Sequence, residues 1–173
     1  MINIYTDGST RANGKENSNG GYAVVVLVND DTYMDYYCAK RNISGTTNNR
    51  MELSAILRAL ELTQTKYKNE KCVIKSDSAY CVNMCNDWIW TWAKNNWMNS
   101  KKVQVENIDL VQQIYKYLII EFNNFQIEKV IGHAHICGNE LADAAATGDQ
   151  TKFVKILKEN DIDYIGKELF DLQ

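Results

Sequence analysis

The stretch INIYTDGS, Ile2 to Ser9, decides the fold. Residues alternate with a period of two, and β-branched and aromatic side chains fill the positions, which predicts a strand. This strand runs into Asp7-Gly8-Ser9, so we expect a carboxylate at its C-terminal end, where glycine lets the backbone turn away. Three further acids, Glu52, Asp77 and Asp143, are expected to converge on Asp7 around divalent metal.

The order of elements along the chain predicts a mixed sheet. Two more strands, 22–28 and 32–39, follow a glycine-rich loop and are joined by a hairpin at 29–31. Helix and strand patterns then alternate, with strands at 71–76 and 125–131. Antiparallel-type strands followed by such alternation favour an α/β fold with a mixed five-stranded sheet flanked by helices. Apolar residues at helical spacing include Leu53, Ile56, Leu57, Leu60, Val111, Ile114, Tyr115, Leu118 and Phe122.

Composition indicates an ordinary globular protein. The chain has 173 residues, of which 45% are hydrophobic and 24% charged, and no apolar run is long enough to cross a bilayer. Met1 leads into a strand without a secretory signal, so we expect a cytoplasmic monomer without a membrane partner. The net charge of −3 argues weakly against nucleic-acid binding. Carboxylates gathered at a metal site would contribute to this negative sum, however, so the net charge understates any basic surface elsewhere.

The five cysteines are an odd number without a CxxC pair, which favours reduced thiols. Cys81 and Cys85 lie one helical turn apart. They would suit a metal, but two small buried hydrophobic residues are the favoured interpretation.

Four acids at 7, 52, 77 and 143 are too widely spaced for one local metal loop. Taken singly, each is best explained as a solvated carboxylate or a charge at a helix start. Functional groups in open α/β sheets collect at the carboxyl ends of strands, where Asp7 and Asp77 are expected. Without cations, four clustered acids would repel and shift one another's pKa values, and oxygen-seeking ions such as Mg²⁺ resolve that repulsion.

Four motifs carry a resemblance to a known family: YTDGS at 5–9, TTNNRMEL at 46–53, KSDSAY at 75–80 and GHAHICGNELAD at 132–143. In order and spacing they resemble ribonuclease H of type 1, over residues 1–146. The resemblance implies a catalytic domain at 1–146. Residues 147–173 fall outside the motifs, and we expect them to form a C-terminal extension that is helical and docked on the body. It also implies a Mg²⁺-dependent endonuclease that cuts the RNA strand of RNA/DNA hybrids.

The resemblance assigns a catalytic and metal-binding set to Asp7, Glu52, Asp77 and Asp143. It implies that Asp7 bridges two ions, that Glu52 and Asp77 complete the shell of one, and that Asp143 holds the ion that activates water. Two ions about 4 Å apart would activate water and stabilise the departing oxygen, leaving 3′-hydroxyl and 5′-phosphate ends. Mn²⁺ is an alternative to Mg²⁺, and no organic cofactor is expected.

His133 matches a family histidine that assists proton movement or product release, and a near-neutral imidazole suits either role. A plain surface-loop histidine is the alternative, and the functional role is the favoured interpretation. His135 and Cys137 alternate with His133, so zinc binding by these three is a further, less favoured interpretation that needs a fourth ligand.

Recognition of the hybrid requires contacts with the RNA 2′-hydroxyl in a shallow minor groove. By resemblance, Asn13, Asn48 and Asn49 serve there and Thr47 binds a phosphate of the DNA strand. Thr46 and Thr47 would otherwise serve as caps or turn residues. Ala79 replaces a glutamine common in relatives.

The segment 88–102 interleaves tryptophans with lysines and resembles a basic protrusion of some family members. Lys94, Lys101 and Lys102 are the candidate phosphate contacts. Trp88 and Trp92, four residues apart, are expected to pack in the core.

The tail beyond residue 146 shows an amphipathic pattern at Phe153, Ile156 and Leu157 and a second, short helix pattern at Tyr164, Leu169 and Phe170. Three alternatives for function stay open: another nuclease or strand-transfer enzyme of the ribonuclease H-like superfamily, a non-catalytic nucleic-acid-binding module, and a partner-binding scaffold that acts through the tail.

Overall fold

The computed structural model describes residues 1–120 and 124–164. A mixed sheet forms its centre, with strand order β5-β4-β1-β2-β3-β6. The strands are β1 (Ile2–Arg11), β2 (Asn19–Val28), β3 (Tyr33–Ser44), β4 (Cys72–Ser76), β5 (Phe125–Lys129) and β6 (Asp163–Tyr164). The helices are α1 (Asn48–Gln64), α2 (Ala79–Asn83), a π-helical turn (Met84–Trp88), α3 (Ile89–Lys94), α4 (Ile108–Leu118), α5 (Cys137–Thr147) and α6 (Gln150–Glu159).

The predicted mixed α/β sheet is confirmed. Strands β1, β2 and β3 pair antiparallel, and β4 and β5 continue the sheet in parallel from β1. The predicted hairpin lies at Asn29, Asp30 and Asp31, whose φ angles of 53°, 55° and 65° are left-handed. Asparagine and aspartate tolerate that conformation better than other side chains that have a Cβ atom.

Within the described part of the chain, the sheet has six strands where five were predicted. The additional strand, β6, pairs in parallel with the start of β3 through Asp163 and Tyr164. The prediction that Tyr164 belongs to a second short helix is therefore wrong. A two-residue strand leaves too short a pattern to be read from sequence. The other residues of that predicted helix, Leu169 and Phe170, and Phe122 of the predicted fourth helix lie outside the described residues.

Two apolar layers cover the sheet, because successive strand side chains point to opposite faces. Ile4 packs with the buried residues of α1 and α4 on one face. Its neighbour Tyr5 packs with α5 and α6 on the other. The α6 residues Phe153, Ile156 and Leu157 are buried in this second layer. The tail helix thus rests on the same face of the sheet as α5.

Side chains of the segment after β4 fill the first layer. Trp88 and Trp92 pack against the core with ring centroids 6.0 Å apart, which confirms the prediction for this pair. Cys81 and Cys85 are buried with free thiols, and burial raises the pKa of Cys81 to about 12. They act as small hydrophobic residues, as predicted. Among the described residues, none of the helices has the length and apolar character needed to cross a bilayer.

Candidate active site

The register between β1 and β4 brings the first two acids together. The parallel pairing runs from Ile2 with Cys72 to Thr6 with Ser76, and Asp7 and Asp77 are the next residue on each strand. Asp7 was expected at the end of its strand, but β1 continues to Arg11 in its pairing with β2. The β4 pairing is what ends at this point. Asp7 and Asp77 therefore lie side by side, just beyond the last paired residues of β1 and β4.

Gly8 admits the third acid. A Cβ atom at Gly8 would lie 2.5 Å from the backbone carbonyl carbon of Met51 and closer still to the backbone nitrogen of Glu52. The glycine is thus needed for the close approach of α1 to β1. The prediction that the backbone turns away at Gly8 is wrong, because β1 continues through this residue. Glu52 is the fifth residue of α1, so it stands one turn inside the helix rather than in its first turn. The helix backbone packs directly on β1 and delivers Glu52 beside Asp7.

Asp7, Glu52 and Asp77 form a compact carboxylate cluster. One oxygen from each lies within 4.8 Å of the others, and Glu52 Oε2 is buried without a hydrogen-bond partner. Burial, followed by repulsion from Asp77 and Asp143, raises the pKa of Asp7 to about 8. Burial, followed by repulsion from Asp7 and Asp77, raises the pKa of Glu52 to about 9. The Gly8 N–H offsets part of both shifts. Such a cluster favours a bound cation, because a cation stabilises the charged carboxylates.

Asp143 lies on the other side of the same cavity. It belongs to α5, lines a cavity of about 520 Å³ together with the three clustered acids, and repels Asp7 strongly enough to raise its pKa. Its carboxylate accepts a hydrogen bond from Lys152 Nζ at 2.6 Å. Asp143 is thus near the cluster but paired with an ammonium group, and it does not belong to the group of three.

Lys152 was missed because it stands in the tail, beyond the recognised motifs. Asp149 caps α6 by accepting a hydrogen bond from the Lys152 N–H at 2.9 Å, which fixes the first turn of this helix. The Lys152 side chain then reaches back to α5 and lines the acidic cavity. Only the tertiary packing of α6 reveals this cation.

Asn139 and Gly132 surround the Asp77 carboxylate. Asn139 is buried and donates a 3.3 Å hydrogen bond from Nδ2 to Asp77 Oδ2, while its own Oδ1 has no partner. A Cβ atom at Gly132 would lie 2.9 Å from the same Asp77 oxygen. Both residues fall inside the quoted GHAHICGNELAD motif, which was the available signal for them.

The loop before α5 separates the two histidines. His133 lines the acidic cavity, whereas the His135 side chain is 93% exposed and lies 3.6 Å from Glu140. Within residues 1–120 and 124–164, Asp7, Glu52 and Asp77 form the one group of three or more ligand-type side chains close enough to share an ion. The zinc set of His133, His135 and Cys137 is therefore not assembled, because the loop turns its alternate side chains apart.

The predicted substrate-binding residues of the first loop and α1 gather around the N-terminus of α1. Asn13 Oδ1 accepts a 2.9 Å hydrogen bond from the Asn48 N–H, which ties the loop to the helix. Thr47 is the helix N-cap and accepts from the Arg50 N–H at 3.2 Å. Asn48 and Asn49 line the acidic cavity, whereas Asn13 and Thr47 do not.

The predicted basic contacts Lys94, Lys101 and Lys102 lie away from the acidic cavity. Lys94 ends α3, and Lys101 and Lys102 occupy the exposed turn that follows. None of the three forms an ion pair with the described part of the chain. They remain candidates for contacts at a distance from the acids.

Comparison with known proteins agrees with this geometry. The family model described as RNase H matches residues 1–150. A ribonuclease H of Orientia tsutsugamushi (strain Boryong) is 37% identical over 164 residues, which cover 92% of this chain and 88% of that protein. A ribonuclease H of Caldicellulosiruptor saccharolyticus is 38% identical over 148 residues, covering 83% of this chain and 91% of the relative.

Solved structures share the fold at lower identity. The type 1 RNase H called LC9-RNase H1, described as having the type 2 active-site motif, superposes with a TM-score of 0.72 at 21% identity, covering 94% of this chain and 85% of the other. A foamy viral protease-reverse transcriptase in complex with RNA/DNA hybrid gives a TM-score of 0.74 at 23% identity, covering 85% of this chain and 19% of that chain.

Proposed function

Because the chain belongs to the ribonuclease H family, we propose that it hydrolyses the RNA strand of RNA/DNA hybrids as a metal-dependent endonuclease. The observation that carries the proposal is the cluster of Asp7, Glu52 and Asp77 inside a cavity that Asp143 and His133 also line. The family accounts for the substrate. The cluster accounts for the chemistry, since hard cations take carboxylate oxygens as ligands.

The residues present fit a divalent cation such as Mg²⁺. Glu52 Oε2 is buried without a hydrogen-bond partner among the described residues, and the pKa values of Asp7 and Glu52 are raised, so a bound cation would stabilise the ionised form of the cluster. We assign Asp7, Glu52 and Asp77 to one ion, and Asp7 with Asp143 to a second. When bound, two ions of this kind activate water and stabilise the leaving oxygen, which would give 3′-hydroxyl and 5′-phosphate ends.

The surrounding residues hold these acids in place. Asn139 orients the Asp77 carboxylate through its amide hydrogen bond. Lys152 pairs with the Asp143 carboxylate, and a cation bound at Asp143 would displace its ammonium group. The Gly8 N–H faces the cluster and offsets part of its negative charge. The Asn139 and Gly8 contacts fix Asp7, Glu52 and Asp77 before substrate arrives, so little reorganisation of these three acids is required at the moment of reaction.

His133 and the asparagines of α1 complete the assignment. His133 stands on the cavity wall within a turn whose φ of 58° is left-handed, where an imidazole can accept or release a proton during product departure. Asn48 and Asn49 offer amides beside the acids for the RNA 2′-hydroxyl, and Asn13 is held next to Asn48. Thr47, Lys94, Lys101 and Lys102 are assigned to phosphates farther along the hybrid.

The tail belongs with this function. Residues 1–146 are assigned as the catalytic domain and 147–173 as the extension, and Lys152 of α6 lines the acidic cavity. The contact between Lys152 of the extension and Asp143 favours a role at the acidic cavity over a role as a partner-binding appendage. Truncation at Ala146 is therefore expected to impair cleavage and to destabilise the apolar layer under α6.

A cleavage assay tests the proposal. End-labelled RNA/DNA hybrid, duplex RNA and duplex DNA are incubated with the protein and Mg²⁺, with and without chelator. We expect cleavage of the RNA strand of the hybrid alone, which is lost with chelator and in the Asp7→Asn variant. The exposed acid Asp87 provides the control, since Asp87→Asn removes the same charge at a distance from the cavity. Hybrid binding without any cleavage by the unmodified protein would instead support the non-catalytic binding module.

A further inference from the structure

A second, larger cavity adjoins the acidic one. It has a volume of about 680 Å³ and lies between the end of β1, the start of β2, the end of β3 and the C-terminus of α5. Ser9 lines both cavities, so they lie next to each other along β1. None of the described residues that line the second cavity is acidic, whereas its neighbour is lined by Asp7, Glu52, Asp77 and Asp143. The two cavities thus have opposite electrostatic character.

Two arginines supply the positive charge of the second cavity, which we call the arginine pocket. Arg11 ends β1 and Arg41 lies near the end of β3, and both are exposed. Neither guanidinium forms an ion pair within residues 1–120 and 124–164. In a chain of net charge −3, two unpaired arginines around one concave surface free of acids indicate an anion-binding site.

Arg41 is positioned by two glycines. A Cβ atom at Gly21 would lie 3.1 Å from Arg41 Cγ and 2.7 Å from the Ala146 carbonyl oxygen. A Cβ atom at Gly148 would lie 3.2 Å from Arg41 Cδ and would collide with Nη1. The Arg41 side chain therefore packs against the backbone of Gly21 in β2 and of Gly148 after α5. Packing of this kind reduces the conformational entropy that the arginine loses when it binds a ligand.

The arginine pocket continues the line of the acids along β1. Alternate residues of a strand share a face, so Asp7, Ser9 and Arg11 point toward α5 together with Tyr5, which α5 covers. Four residues of extended strand span roughly 13 Å. A nucleic-acid strand whose scissile phosphate lies at Asp7 would therefore pass Ser9 and reach Arg11 with a phosphate one or two linkages away.

We propose that the arginine pocket binds a backbone phosphate of the cleaved RNA strand, on one side of the scissile bond, through Arg11 and Arg41. This inference rests on the proposed function, because it takes the strand from the acid cluster into the adjoining cavity. Guanidinium groups bind phosphate oxygens in a bidentate manner, and such contacts hold the strand without reading its sequence. The pocket sets the register of the RNA strand over the acids.

Binding measurements with charge-neutral variants test the proposal. Arg11→Gln and Arg41→Gln are combined in the Asp7→Asn background, and affinity for a fluorescent RNA/DNA hybrid is measured by anisotropy over a range of salt concentrations. Each lost charge-assisted contact is expected to weaken binding roughly tenfold. The slope of log affinity against log salt should fall by about one to two for the double variant. A matched control, Lys40→Gln with Lys158→Gln, removes two exposed charges outside the pocket and should leave the slope unchanged.

Hybrids with single uncharged methylphosphonate linkages identify the strand. Where the pocket contacts a phosphate, its replacement by methylphosphonate should weaken binding of the hybrid to the Asp7→Asn protein. The same replacement should cause no further loss of affinity in the variant that also lacks both arginines. We expect this coupling at an RNA-strand linkage within two linkages of the scissile bond. Coupling at a DNA-strand linkage, or an unchanged salt slope in the arginine variant, would overturn the proposal. Cleavage of the hybrid by the unmodified protein is measured in parallel, so failure of the proposed function is seen separately from failure of the pocket.

Discussion

Replacement of Asp7 by Asn should stabilise the metal-free protein at neutral pH. Asp7 is 7% exposed, and its pKa is raised from 3.8 to about 8 by burial and by Asp77 and Asp143. At pH 7 the folded protein therefore retains a proton that the unfolded chain releases. This difference costs at most roughly 4 kcal/mol of folding free energy. An asparagine of nearly the same shape has no such cost, and recovery of about half would raise the Tm by roughly 4–8 °C in a chain of this size.

Thermal unfolding in chelator, followed by circular dichroism between pH 4 and pH 9, measures this effect. A raised folded-state pKa means that the acid contributes fully to stability near pH 4 and that this contribution is lost as the pH rises toward 8. The gain from Asp7→Asn should therefore grow with pH over that window and level off above it. The pKa of Glu52 is also raised, to about 9. The stability of the Asp7→Asn variant should therefore still decline as the pH rises, but less than that of the unmodified protein.

Asp143→Asn is the matched control for this prediction. Removal of the Asp143 carboxylate relieves some repulsion on Asp7 but also breaks the 2.6 Å pair with Lys152, so it should stabilise the protein at pH 7 much less than Asp7→Asn does. The reasoning fails if Asp7→Asn lowers the Tm of the metal-free protein at pH 7. It also fails if the gain is the same at pH 4 and pH 8, because burial and repulsion would then not be its cause.

Three further outcomes follow from the geometry. Gly8→Ala should destabilise the protein by roughly 1–3 kcal/mol or more in urea unfolding, since the added Cβ atom meets the α1 backbone. Lys152→Gln should cost less than about 1 kcal/mol, because its pair with Asp143 is 40% and 35% exposed, yet should tighten Mg²⁺ binding in calorimetry, since an ammonium no longer competes for that carboxylate. Mg²⁺ at 100 times its Kd should stabilise the unmodified protein by about 2.7 kcal/mol in thermal unfolding and should have little effect on Asp7→Asn.

The main strands and helices were accessible from the sequence because each depends on a local pattern, whereas the approach of the acids was inferred from the edge of the sheet and from the resemblance. Alternation in INIYTDGS predicts β1, and the helical spacing from Leu53 to Leu60 predicts α1. The extent of β1 was not accessible, because β1 continues only through pairing with β2, after its pairing with β4 has ended. The role of Gly8 was not accessible either, because a close approach between a helix and a strand leaves no periodic pattern in the sequence.

Contacts made by the tail were the least accessible. Lys152 looks like one exposed lysine of an amphipathic helix until α6 is packed beside α5. Likewise, β6 consists of two residues whose strand character comes from the free edge of β3. Arg11 and Arg41 are 30 positions apart in the printed sequence and share a pocket only through the antiparallel order of β1, β2 and β3.

The positions of bound ions test the central claim most directly. Crystals of the protein with an RNA/DNA hybrid, grown or soaked in Mn²⁺, would reveal the ions through their anomalous scattering. We predict two peaks about 4 Å apart, one contacting Asp7, Glu52 and Asp77 and the other contacting Asp7 and Asp143. Peaks confined to other parts of the protein, with Asp143 still paired to Lys152 and Glu52 Oε2 still without a partner, would contradict the account.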